Sequence, residues 1–205
     1  MNQQDFIERI APGAQKAYTQ SGILPSITIA QAILESNWGK SKLTQEANNL
    51  FGIKGKFLGK SYIIPTNEVV GGKTITITAA FRHYPTWDDC ILDHDKVLQA
   101  SRYKKARVSK DYTVQAQEIR KGGYATDPKY AEKLVILIQQ WKLWKYDVME
   151  GENVELIRCV YGGKEQKATD AIFQGGKSYI PAEVLKAIGV TVVWDAKNKI
   201  VHVAK

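Results

Sequence analysis

The run from Ser26 to Ser41 constrains this chain more than any other stretch. Ile27, Ala30, Ile33 and Leu34 recur at the helical period and predict a buried stripe. Ser26, following Pro25, is expected to cap the start of that helix, and Gly39 to stop it. Glu35 then falls near the C-terminal end, beside the apolar stripe. Burial and the negative end of the helix dipole both disfavour a carboxylate there, so the position predicts a raised pKa. A carboxyl group that keeps its proton near neutral pH is what general acid chemistry requires. Taken alone, a helical glutamate is more often a solvated surface residue.

Around this helix the pattern is mostly helical up to about residue 147. Residues 4–21 read as helical pieces that meet at Pro12, which should start a new turn or kink the helix. Residues 60–84 change period. Tyr62, Ile64, Thr66 and Glu68 share one face, Ile75, Ile77, Ala79 and Phe81 another, and Val70-Gly71-Gly72-Lys73 reads as the tight turn of a β-hairpin. An isolated hairpin is marginal, so a mobile lobe is expected. Thr86 caps a helix running to about Ala100, residues 111–121 form another, and a third opens at Asp127-Pro128 and continues through Trp141 and Trp144. Asp89, Asp93, His94 and Asp95 invite a metal reading, but only Asp89 and Asp93 share a helix face, and no metal or cofactor is expected.

Composition narrows the partners. The chain has 205 residues and is 44% hydrophobic, ample for packed cores, with no run long enough to span a membrane. The net charge is +8, and nearly all of the excess lies in residues 1–147. A basic surface attracts polyanions. No nucleic-acid motif accompanies the charge, so an anionic polymer other than nucleic acid is the better partner. Cys90 and Cys159 fall in different expected domains and read as reduced thiols. The segment Met1–Asp5 has neither a basic region nor an apolar run of the kind that starts a signal peptide.

Ala30 to Ser41, with Asn48-Asn49-Leu50-Phe51-Gly52-Ile53-Lys54 and Gly123-Tyr124-Ala125-Thr126-Asp127-Pro128, resembles the signature of glycoside hydrolase family 73, the peptidoglycan N-acetylglucosaminidases. The resemblance covers roughly residues 5–146. It implies an α+β, mainly helical lysozyme-like catalytic domain with a β-hairpin lobe over residues 1–147, and hydrolysis on the reducing side of N-acetylglucosamine. It assigns Glu35 as catalytic acid, Glu68 as base or oxocarbenium stabiliser, and Tyr124 as a residue facing the site. Asn49 and Phe51 become the floor of a sugar groove, with Tyr62 on the hairpin beside it. Arg82 either binds sugar or anchors the lobe, and Trp38 either stacks on sugar or packs. Two carboxylates ~5 Å apart would imply retention and ~6.5–9.5 Å inversion, while the substrate's own acetamido group offers a third route. The implied partners are peptidoglycan glycan strands and anionic wall polymers, acting outside the cell as a monomer. Without a signal peptide, the expected origin is a phage enzyme released through a holin or carried in a virion. A muramidase, a lytic transglycosylase and a non-catalytic wall-binding or virion protein are the alternatives.

Residues 148–205 change to short strands. Tyr179-Ile180-Pro181, a helix ending at Gly189, Val190-Thr191-Val192-Val193-Trp194-Asp195 and a final strand resemble the small α+β module named for the N-terminal domain of copper amine oxidases. The resemblance suggests wall attachment, or a plain stabilising role. It implies no copper, since His202 is the one histidine there and a single ligand cannot make a site.

Overall fold

The computed structural model describes residues 1–70, 73–147, 158–161, 164–166, 172–174, 177–179, 191–195 and 200–204; for 66–70, 73–77 and the strands beyond 157, only the backbone path is described. The chain divides into two units, Met1–Asp147 and Val148–Lys205.

In the first unit, helix α1 spans Gln3–Ser21. A reciprocal capping box opens it: Asp5 N–H donates to the Asn2 side chain (2.9 Å), and Asn2 N–H to the Asp5 carboxylate (3.1 Å). The helix runs through Pro12 as one continuous element, so Pro12 does not divide it into two pieces. Pro12 is exposed, so its missing N–H falls on the solvent side. Phe6, Ile7 and Ile10 before it share one buried face with Ala14 and Ala17 after it, and that shared packing outweighs the local cost of proline. Gly22 ends α1 in the left-handed conformation, with φ 77° and its N–H donated to Tyr18.

Helix α2 spans Pro25–Ser36 and is buried on all sides from Pro25 to Ile33. Its cap is not Ser26. Leu24 holds the cap position, and Pro25 occupies the first helical position, where no N–H is needed. Ser26 lies inside the first turn and gives both its N–H and its hydroxyl to the Asp147 carboxylate, each at 2.7 Å. A carboxylate 121 residues away in sequence thus does the work of the cap. Burial pushes the Asp147 carboxyl up to about 7, against the pull of the two Ser26 bonds.

Helix α3, Lys42–Ala47, is capped by Ser41. Strands β1, Ser61–Val70, and β2, Lys73–Arg82, pair antiparallel with Val70 opposite Lys73, the two-residue connection expected from the sequence. The base of the hairpin is tied down. Gly55 N–H bonds Ala80 (2.8 Å), Arg82 N–H bonds Ile53 (2.9 Å), and Tyr84 N–H bonds Ala47 (2.9 Å). Helix α4, Trp87–Val97, is capped by Thr86 and ends earlier than Ala100 because a 3-10 turn, Ser101–Tyr103, follows. Helices α5, Lys104–Val108, and α6, Tyr112–Lys121, come next. Helix α7, Tyr130–Gln140, starts two residues later than expected. Asp127 accepts the Lys129 N–H (2.8 Å) and closes a turn before the helix. The chain leaves α7 at Trp141 and forms a second 3-10 turn, Leu143–Asp147, which delivers Asp147 to α2. Cys90 is buried, where burial pushes its thiol up to about 12, and its sulfur accepts the Leu50 N–H.

In the second unit, β3, Arg158–Tyr161, β4, Lys164–Gln166, β7, Thr191–Asp195, and β8, Ile200–Ala204, form one sheet in the order β4-β3-β8-β7. The β3–β8 pair is parallel, and β7–β8 is the antiparallel hairpin expected from the sequence. Strands β5, Ile172–Gln174, and β6, Lys177–Tyr179, pair separately. The expected helix from Pro181 to Gly189 and the side chain of Cys159 lie outside the described residues. Among the described residues no helix is long and apolar enough to cross a membrane.

The left-handed cap of α1 offers a direct check. A Cβ on Gly22 would stand 2.5 Å from the Arg107 carbonyl oxygen, on a backbone with positive φ. Gly22→Ala is therefore expected to cost about 2 kcal/mol or more, read as a lower midpoint in urea with an unchanged m-value.

Candidate active site

The last turn of α2 carries Glu35 into a cleft of about 600 Å³, which it lines with Phe51, Arg102, Tyr103, Tyr124 and Tyr130. Solvent reaches Glu35 through the open mouth of the cleft, yet most of its surroundings are protein. Desolvation is the leading cause that raises its pKa above the ordinary 4.5; the hydrogen bond from Tyr130 and, when charged, His94 act the other way.

Tyr130 is the closest partner of this carboxyl. Its hydroxyl donates to Glu35 Oε1 at 2.9 Å and accepts from Gln31 Nε2 at 3.1 Å. Gln31 precedes Glu35 by one helical turn and is fully buried. The pair therefore clamps Tyr130 between two turns of the same helix and holds Glu35 through Oε1. Reading the sequence alone missed Tyr130 and Gln31. The available signal was Tyr130 six residues after Tyr124, two residues beyond the Gly-Tyr-Ala-Thr-Asp-Pro motif.

Tyr124 lies in the loop before α7 and lines the cleft beside Tyr130, with ring centroids 5.7 Å apart. Burial pushes its hydroxyl well above the ordinary tyrosine value. Phe51 lines the same cleft and stacks on His94 at 3.8 Å. Glu35, Phe51 and Tyr124 thus line one cleft.

Four other candidates are not on the cleft wall. Asn49 is buried; its Nδ2 donates to the Ile53 and Arg82 carbonyls, and its Oδ1 accepts the Ile53 N–H. Its amide is fully occupied in holding the loop to the hairpin base, which corrects its expected role as groove floor. Trp38 packs edge-on against Phe6 (5.9 Å) and Trp141 (5.0 Å), so it belongs to an aromatic cluster. Arg82 pairs with Asp93, which also accepts the Tyr84 hydroxyl (2.8 Å); of its two expected roles, Arg82 takes that of anchor. Tyr62 is half-buried on β1 opposite Phe81, away from the cleft lining. Glu68 sits on β1 opposite Ile75, and its side chain lies outside the described residues.

The acidic residues of α4 diverge as the helical period requires. Asp93 faces Arg82, Asp95 faces Ser21, and His94 faces Tyr124. Among the described residues no three metal-ligating side chains converge.

Comparison with known proteins completes the picture. The model of the glucosaminidase family, described as mannosyl-glycoprotein endo-beta-N-acetylglucosaminidase, matches residues 11–143. The chain belongs to this family. It is 42% identical over 151 residues to the exo-glucosaminidase LytG of Bacillus subtilis, covering 71% of this chain and 54% of that protein. It is 41% identical over 150 residues to a probable N-acetylmuramidase of Lactococcus lactis, covering 69% of this chain and 34% of that protein. The match thus spans about half or less of these relatives. The catalytic domain of the autolysin Auto from Listeria monocytogenes shares the fold with a TM-score of 0.67 and 39% identity, over 71% of this chain and 87% of that one.

Two measurements test the electrostatics of Glu35. A carboxyl whose folded pKa is raised contributes stability below 4.5 that is lost as pH rises through the folded value. Glu35→Gln should therefore melt with the wild type at acid pH and increasingly above it as pH climbs from about 4.5 toward neutrality. A gap that does not change with pH would contradict this. Tyr130→Phe removes a donor that favours the carboxylate, so carbon NMR titration of Glu35 should show its pKa higher still.

Proposed function

We propose that residues 1–147 hydrolyse the β-1,4 bond on the reducing side of N-acetylglucosamine in peptidoglycan, with Glu35 as general acid. The observation that carries this reading is a carboxyl on the wall of an open cleft, reached by solvent yet with a pKa raised by partial desolvation, and held at one oxygen by Tyr130. In this reading Glu35 protonates the glycosidic oxygen, and the bond to it breaks as positive charge builds on the sugar ring. Tyr130 stabilises the carboxylate left behind, and Phe51 and Tyr124 bound the sugar.

The second group has two sources. Asp127 lines the cleft but is already engaged by Lys133 at 2.7 Å and by the Lys129 N–H. That leaves Glu68, as water-activating base or charge stabiliser, or the substrate's own acetamido oxygen. The substrate-assisted route tolerates loss of Glu68, whereas the other does not. Residues 148–205 are proposed to attach the enzyme to the bacterial wall, on their sequence resemblance alone.

A second reading, cleavage at N-acetylmuramic acid, is favoured by the Lactococcus relative named as a probable N-acetylmuramidase. One experiment separates these. Purified peptidoglycan is digested, the new ends are reduced, and the products are weighed by mass spectrometry. Reduced N-acetylglucosamine ends are expected from the wild type. Glu35→Gln should fall by a hundredfold or more, as removal of a general acid does. Reduced muramic ends would replace this reading with the second. Equal product from both proteins would remove Glu35 from the chemistry.

A further inference from the structure

Behind Tyr124 lies a buried polar chain that the acid chemistry of Glu35 does not use. The Tyr124 hydroxyl is 3.1 Å from His94 Nε2, and His94 Nδ1 is 3.3 Å from Asp95 Oδ1. His94 is fully buried, and Asp95 is 3% exposed. Asp95 is held in turn from α1 and α2: the Ser21 hydroxyl lies 2.6 Å from Oδ2, and the Thr28 hydroxyl 3.5 Å from Oδ1. Phe51 stacks on the imidazole and keeps its plane fixed.

The direction of these bonds follows from the end of the chain. Ser21 accepts the Ile23 N–H at 3.0 Å, so its hydroxyl proton is free for Asp95 Oδ2. A carboxylate at Asp95 only accepts, so His94 must carry a proton on Nδ1, and in the neutral imidazole Nε2 is then left as an acceptor. Tyr124 has one proton, and the acceptor at Nε2 takes it. The face of the Tyr124 oxygen toward the cleft then has lone pairs alone.

We infer that His94 and Asp95 are positioning residues that set the polarity of Tyr124, making its hydroxyl a pure hydrogen-bond acceptor toward the substrate. This rests on the proposed glycosidase reading for its consequence. An acceptor that cannot donate selects a group that can, and on a 2-acetamido sugar the amide N–H is the obligate donor, whereas the hydroxyls can serve either way. Turning Tyr124 into a donor would leave that N–H facing a second donor, which is costly.

The test reads the tautomer directly and the coupling kinetically. In the full chain labelled with nitrogen-15 histidine, the resonance lost in His94→Gln identifies His94. Wild type should show the proton on Nδ1. Asp95→Asn keeps the shape but can offer an N–H to Nδ1, so it should move the proton to Nε2, and kcat/KM on peptidoglycan should fall on the order of tenfold to a hundredfold. In a Tyr124→Phe background the same Asp95→Asn change should cost at most a few-fold, because no hydroxyl remains to be reversed. A purely structural role would cost the same in both backgrounds. A wild-type His94 protonated on Nε2, or on both nitrogens, overturns the inference, as does an Asp95→Asn loss undiminished by Tyr124→Phe. If the wild type cleaves no peptidoglycan, the glycosidase reading fails, and the tautomer spectrum still decides the polarity.

Discussion

Helix α2 is surrounded by protein along nearly its whole length, and every polar side chain on it must therefore find a partner inside the fold. Ser26 binds Asp147, Thr28 reaches Asp95, Gln31 binds Tyr130, and Ser36 donates to the Ala32 carbonyl while accepting the Gly39 N–H. The first three bonds each recruit a different part of the chain, whereas those of Ser36 are local. Asp147 comes from the last turn of the unit, Asp95 from α4 and Tyr130 from α7. The helix that bears Glu35 is thus the member around which the others are registered, and its last turn is where it meets solvent. Glu35 owes both its desolvation and its access to that single change from enclosure to opening.

The hairpin is held by a different economy. Asn49 and Arg82 use their polar atoms at its base, where Asn49 bonds the backbone of the 49–53 loop and of Arg82, and Arg82 pairs with Asp93. Asn49 has both amide hydrogens engaged there, and Arg82 is held through Nη1. The side chains that line the cleft come instead from the helical part of the unit, from the loop at 51–53 and from the loop before α7. The division is physically sensible. A two-stranded ribbon has too little core of its own to fix a side chain to within a fraction of an ångström. The buried Gln31–Tyr130 contact joins two packed helices, and the His94–Tyr124 contact ties the loop before α7 to the buried His94 of α4.

Much of this was legible in the residues. The period of three to four in Ile27, Ala30, Ile33 and Leu34 announced α2, and the alternation in residues 60–84 announced the hairpin and its two-residue turn. Thr86 was readable as a cap because its hydroxyl acts on Asp89, three residues away. The differences share one cause. Local chemistry points to Ser26 as a cap and to a new turn or kink at Pro12; Asp147, from a distant segment, takes over the capping of α2, and shared packing keeps α1 one helix. Asn49 was read as groove floor from its motif, but the motif does not say which way an amide points.

By itself, then, the sequence determined the kind of elements, the place of Glu35 at the end of a buried helix, and the membership of residues 11–143 in the glucosaminidase family. Those properties are set by periodicity and residue type over short spans. Tertiary structure alone decided that Tyr130 holds one oxygen of Glu35, that Trp38 and Arg82 pack and anchor, and that His94 stands behind Tyr124 with Asp95 at its back. These are pairings between residues 11 to 103 positions apart, apart from the adjacent His94 and Asp95. Their geometry depends on how whole helices cross, which no local pattern encodes.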